Sequence, residues 1–196
     1  MNLLFFLDDK LRFIERHYAR AVEPFAAIKR KIDAGEAPYE PDSTDYDSGE
    51  DAPPFIDDWC EADESENIVG YSCLSLVQSV LLEYLREYLR LRGLSLPPGK
   101  GSLLCRYRDF FKERLGIDWD ESPIEFETLE NLTLARNNIH HETHIMTRYA
   151  YRTDDYALRF PQSLFGGNFL KIHVTDEGLK AAIKAVEAFC TFIEQQ

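Results

Sequence analysis

Between residues 67 and 92 the chain sets Val69, Cys73, Leu76, Val77, Val80, Leu81, Tyr84, Leu85, Tyr88 and Leu89 at mostly three- and four-residue steps. That period belongs to an α-helix, and an apolar face this wide demands burial against two neighbours. Gly93 and the turn-forming Pro97-Pro98-Gly99 end it. A chain organised around such a segment is expected to be a helical bundle.

The flanking sequence supplies partners for that helix. Residues 3 to 33 are helical by period, with Leu4, Leu7, Leu11, Ile14, Tyr18 and Val22 in one stripe and Pro24 calling for a kink or a restart. A shorter helix ends in Phe110-Phe111-Lys112-Glu113-Arg114-Leu115-Gly116. Ser122 as N-cap, Pro123 at the first position and Glu125 three residues on compose a capping box, which predicts a helix carrying Ile124, Phe126, Leu129, Leu132, Ala135 and Ile139. Thr175 caps a last helix over about 176 to 194, with Leu179, Ile183, Val186, Phe189, Cys190 and Ile193 facing inward. The fold class expected is all-α, a bundle of about five helices in one domain over residues 1–196. Residues 156–160 and 169–174, either side of Gly166-Gly167, predict a small β-hairpin near 156–174.

At 196 residues the chain can bury a core without disulfides. Cys60, Cys73, Cys105 and Cys190 share no short spacing, so neither a zinc ribbon nor a redox pair is indicated. Leu3-Leu4-Phe5-Phe6-Leu7 lacks a basic leader and runs into Asp8-Asp9, and no segment reads as the roughly 18 apolar residues of a membrane span. A cytoplasmic protein without a membrane partner is expected.

Residues 35–66 contain thirteen Asp and Glu and no Lys or Arg, so the formal charge of −13 is the charge of this segment. It reads as an irregular acidic insert between the first two long helices. Tyr39, Tyr46, Phe55 and Trp59 are the residues by which it could dock onto them. A docked polyanion could cover a cationic groove, or sequester a basic partner as a decoy. The overall charge argues against tight nonspecific nucleic-acid binding. A local positive patch remains open to Arg106, Arg108, Lys112, Arg114, Arg136, Arg148, Arg152 and Arg159.

Arg136-Asn137-Asn138-Ile139-His140-His141 brings an arginine, an amide and two imidazoles to the end of the predicted fourth helix. An arginine fork can hold a phosphate by two parallel hydrogen bonds, and histidine exchanges its proton near neutral pH. At 100° per residue Asn137 and His141 share one face, and Arg136 and His140 a neighbouring one. The run resembles the R-x4-6-H motif of the HEPN superfamily, whose common form is Arg-Asn, any three residues, then His. Only the motif is specific. The rest of the likeness, over about the C-terminal two thirds, is helical pattern.

The resemblance implies a HEPN-like bundle, a homodimer with the motif helix at its two-fold axis, and metal-independent RNA cleavage. His141, with His140 as alternate, would act as acid or base, Arg136 would stabilise the phosphorane, and Asn137 would orient either. Arg136, His144 and Arg148 would contact RNA. HEPN ribonucleases often serve as toxins or in anti-phage defence, so an antitoxin or regulatory protein is an expected partner. In HEPN toxins paired with a nucleotidyltransferase, a tyrosine commonly stands two positions after the histidine. This chain has Thr143 there, so control by modification at that site is not implied. Some HEPN proteins bind ligands or partners without cleaving, which is the competing reading.

No metal or cofactor is expected. His140 and His144 are four apart, but His141-Glu142-Thr143-His144 is one residue short of the H-E-x-x-H zinc motif and no third ligand follows.

Overall fold

Asn2 opens the first helix by accepting the Phe5 N–H on its Oδ1 at 3.2 Å. In the computed structural model helix α1 then runs Leu3–Ala34. The structure describes residues 2–40, 53–141 and 174–196, and of 137–141 the backbone alone. Leu3, Leu7, Leu11, Ile14 and Tyr18 are buried, as the stripe predicts. Pro24 lies inside α1, which neither stops nor restarts there. The ring removes one backbone hydrogen bond, while tertiary contacts of the following turns hold the helix on course. Gly35, at φ 61°, ends it with its N–H on Ile32 O and the Glu36 N–H on Lys31 O.

Helix α2 spans Ile56–Leu91, beginning eleven residues before its apolar period does. Residues 56–66, expected to belong to the irregular acidic insert, are therefore helix. Their stabilisation is electrostatic rather than apolar. Asp57 and Asp58 stand in the first turn, where the helix dipole favours negative charge. Trp59 Nε1 donates to Asp33 Oδ1 at 3.1 Å, and Lys29 Nζ lies 2.8 Å from Asp63, 3.1 Å from Glu66 and 4.7 Å above the Trp59 ring. Partial burial disfavours the Lys29 charge, but the bonds to Asp63 and Glu66 outweigh it and raise its pKa. Tyr39 meets Phe55 edge to face at 5.3 Å, a contact within the acidic segment itself, while Trp59 is the residue that docks it onto α1.

The buried face of α2 is centred on Cys73, Leu74, Val77, Leu81 and Leu85, all fully buried. Leu76, expected on that face, is 45 % exposed. Contrary to the expectation for membrane spans, α2 holds an 18-residue stretch of mean hydropathy 1.5, long and apolar enough by length and composition to cross a membrane. Of that stretch 44 % is buried in the bundle, because a helix packed against several others needs the same composition. Gly93, at φ 70°, terminates α2, with the Leu94 N–H on Leu89 O and the Gly93 N–H on Arg90 O.

Helix α3, Leu103–Leu115, starts at Ser102, whose Oγ accepts the Cys105 N–H, and stops at left-handed Gly116. A 3₁₀ turn at Trp119–Glu121 follows. Helix α4 covers Phe126–His141, three residues later than the capping box predicts. Ser122 Oγ takes the Ile124 N–H at 3.0 Å, two residues on, so it closes a turn instead of capping the helix. Helix α5, Asp176–Glu194, begins as predicted, with the Gly178 N–H on Thr175 Oγ1 at 3.0 Å.

Helices α1 and α2 are antiparallel, tied by Lys10–Glu83 at 2.6 Å near one end and Lys29–Asp63 near the other. Helix α5 runs parallel to α2: Val174 abuts Gly70, while the Tyr84 and Tyr88 hydroxyls donate to Cys190 O and Ile193 O at 3.0 and 3.1 Å. Trp119 closes that end of the bundle, with its ring 4.7 Å from Phe189 and 5.5 Å from Phe111. The described residues form an all-α bundle with one buried apolar cluster fed by every helix. The hairpin expected near 156–174 lies outside the described residues, apart from Val174.

Candidate functional site

Helix α4 packs against both α2 and α5 through Leu129, Leu132 and Ala135, all buried. Arg136 follows Leu132 by four and Leu129 by seven, so helical register puts it on the inward stripe, and it is half-buried. Positions 137 and 141 continue the row of Glu130 and Leu134 on the other side of the helix. Register therefore separates Arg136 from His141 by about 140°, and from His140 by only about 40°. The helix continues as helix through His141, so all four motif positions share one register at its C-terminal end.

The other residues expected at the site, His144 and Arg148, lie outside the described residues. So do Arg152 and Arg159. The remaining cations named in the sequence gather elsewhere, on α3. Arg108 lies 4.3 Å over the Phe126 ring, Lys112 pairs with Asp118 at 2.6 Å, and Arg106 donates to Pro97 O. Four cations that single-residue reading passed over, Arg86, Arg90, Arg92 and Lys100, belong to the same end of the bundle. A running net-charge count would have found them.

A cavity of about 270 Å³ opens between α1 and α2, lined by Leu3, Phe6, Leu7, Val80 and Tyr84 with Lys10, Glu83 and Glu87 at its polar side. Glu83 is held below the usual carboxylate range by the Lys10 bond, and Glu87 pairs with Arg90. Among the described residues no cluster of His, Cys, Asp and Glu could hold a metal ion. Burial pushes the Cys73 thiol up to about 11 and the Cys190 thiol well above its ordinary value, so both behave as core hydrophobes.

Comparison of the chain with family models, with curated proteins and with solved structures finds no match.

Proposed function

We propose that this chain is a HEPN-like, metal-independent endoribonuclease whose chemistry resides at Arg136 and the histidine pair His140-His141. The observation that supports it best is the course of α4. One uninterrupted helix, packed on two others, carries a half-buried arginine and both imidazole-bearing positions into its last turns. His141 takes the proton of the ribose 2′-OH, the oxygen attacks the adjacent phosphorus, and the 5′-oxygen leaves as a hydroxyl after protonation. Arg136 neutralises the charge that grows on the phosphorane oxygens, and Asn137 orients the histidine or the phosphate. The products are a 2′,3′-cyclic phosphate and a free 5′-hydroxyl. Toxin or defence activity, RNA contacts through His144 and Arg148, a cytoplasmic setting and control by an antitoxin belong to the same proposal.

The 140° between Arg136 and His141 carries a consequence for assembly. On one helix the two cannot flank one phosphate directly, so the reading requires His140 as the partner of Arg136, or a second copy that supplies the histidine across a two-fold axis. If neither holds, the same register favours a module that binds a ligand or protein without cleaving it.

The test is cleavage of single-stranded RNA in excess EDTA, with the DNA equivalent left intact for want of a 2′-OH. Arg136→Ala and His141→Ala are each expected to lose about 10²-fold or more in rate, the usual scale for a lost acid-base or charge-stabilising group. Loss in His140→Ala with retention in His141→Ala would transfer the role to His140. An intact chain that cuts nothing as a verified dimer would leave the binding module standing.

A further inference from the structure

Residues 86–116 hold eight Lys and Arg against three Asp and Glu, in a chain whose net charge is −13. They form one corner of the bundle: the last turns of α2, the link, and α3. Of the three acidic residues, Glu87 pairs with Arg90 at 2.6 Å and Asp109 with Arg108 at 3.6 Å. Among the described residues Arg86, Arg92, Lys100, Arg106 and Arg114 enter no ion pair with a carboxylate. All but Arg106 are exposed.

Arg106 is instead pre-set. Its guanidinium donates to Pro97 O and lies against Gly99, where a Cβ would come within 3.1 Å of its Nε. Burial raises the pKa of the neighbouring Tyr107 phenol, while the charges of Arg86 and Arg106 act to lower it. A guanidinium fixed by the backbone loses little freedom when it binds an anion.

The described helical part of the acidic segment lies away from this corner. That part, residues 56–66, occupies the other end of α2, a helix of 36 residues and therefore about 54 Å long. Exposed charges are screened beyond about 8 Å at physiological salt.

We propose that the α2–α3 corner binds the phosphate backbone of a single-stranded polynucleotide, with Arg86, Lys100 and Arg106 as phosphate contacts. That the strand is RNA rests on the ribonuclease reading; the phosphate chemistry does not. Cations spread over two helices suit an extended chain of phosphates better than a single phosphoryl group. Leu91 and Leu103, 45 and 40 % exposed beside them, are too few to insert into a lipid surface and offer apolar contact to sugars and bases.

The experiment uses the full chain in EDTA with a fluorescent 20-mer as 2′-O-methyl RNA, which cannot be cut, and as DNA. Anisotropy should show both strands bound, with an affinity that falls with salt at a log–log slope of about −0.7 per phosphate contact. The double variant R86E/K100E, with both sites exposed, should bind at least tenfold more weakly with a shallower slope. Its melting curve should match that of the unchanged chain, and R86K/K100R should retain binding. Binding without RNA cleavage would uphold the proposal and remove the ribonuclease reading. Unchanged binding in R86E/K100E would overturn the proposal and leave the ribonuclease reading untouched. No binding at 50 mM salt, or tighter binding to phosphatidylserine vesicles than to either strand, would overturn the proposal.

Discussion

At Gly70 an added Cβ would stand 2.8 Å from the Cβ of Val174, closer than such atoms approach in real packing. Gly70 is thus what lets the start of α5 lie against α2. Gly70→Ala is expected to destabilise by about 1–3 kcal/mol, the scale of overpacking, measured by urea unfolding. Val174→Ala should not rescue it, because the offending atom is the Cβ itself. Tyr18, whose hydroxyl donates to Val174 O at 3.3 Å, reports the same junction by titration. Burial first, with Asp176 and Glu66 nearby, pushes its phenol up to about 12. A group whose folded pKa is raised contributes fully below its unfolded value near 10, and that contribution disappears between pH 10 and 12. Stability should therefore fall across that window, and Tyr18→Phe should flatten the fall; an unaltered profile in the variant would exclude Tyr18 as its source. The thiols divide by exposure: Cys60, exposed, should alkylate in the native protein, while Cys73 and Cys190 should react only on unfolding.

Among elements, the first three turns of α2 are the most dependent on particular side chains. They contribute Ala62 and Asn67 as their buried residues and are otherwise held by Trp59, Asp63 and Glu66 against α1. Lys29→Met leaves Asp63 and Glu66 beside each other without their cation. A loss of about 1–3 kcal/mol is expected, with hydrogen exchange rising in residues 56–66 before the rest of α2. Uniform protection along α2 in that variant would show that its ends are one cooperative unit. Replacing residues 35–66 with a Gly-Ser linker removes these turns as well as acidic charge, so lowered thermal stability is expected alongside any change in RNA binding. The length of α2 was hidden in the sequence for a physical reason: apolar period marks only the helix that is buried, and these turns are stabilised by charge.

For the whole molecule, the consequence of antiparallel α1 and α2 is charge separation. The connection between them is acidic, and the far end of α2 with α3 is cationic. If both poles are exposed, association between copies should be strongest at low salt and vanish toward 1 M, where the screening length falls to about 3 Å. Sedimentation over a salt series checks this, and a salt-independent dimer would instead point to an apolar or motif-helix interface.

The sequence by itself determined the helices of the described residues, their apolar stripes and several of their ends. Gly93, Gly116 and Thr175 act locally, through backbone conformation or a cap, and local chemistry is legible in order along the chain. It also displayed the Arg136–His141 run, although pairing Arg136 with a particular imidazole depends on helical register and on any second copy. Tertiary structure decided what sequence order cannot express. It turned Ser122 from a cap into a turn, left Leu76 outside the core, carried α1 through Pro24, and gathered Arg86, Lys100 and Arg106 at one corner. Each of these depends on which neighbours a residue meets across the bundle, and those neighbours are set by packing between helices far apart in the chain.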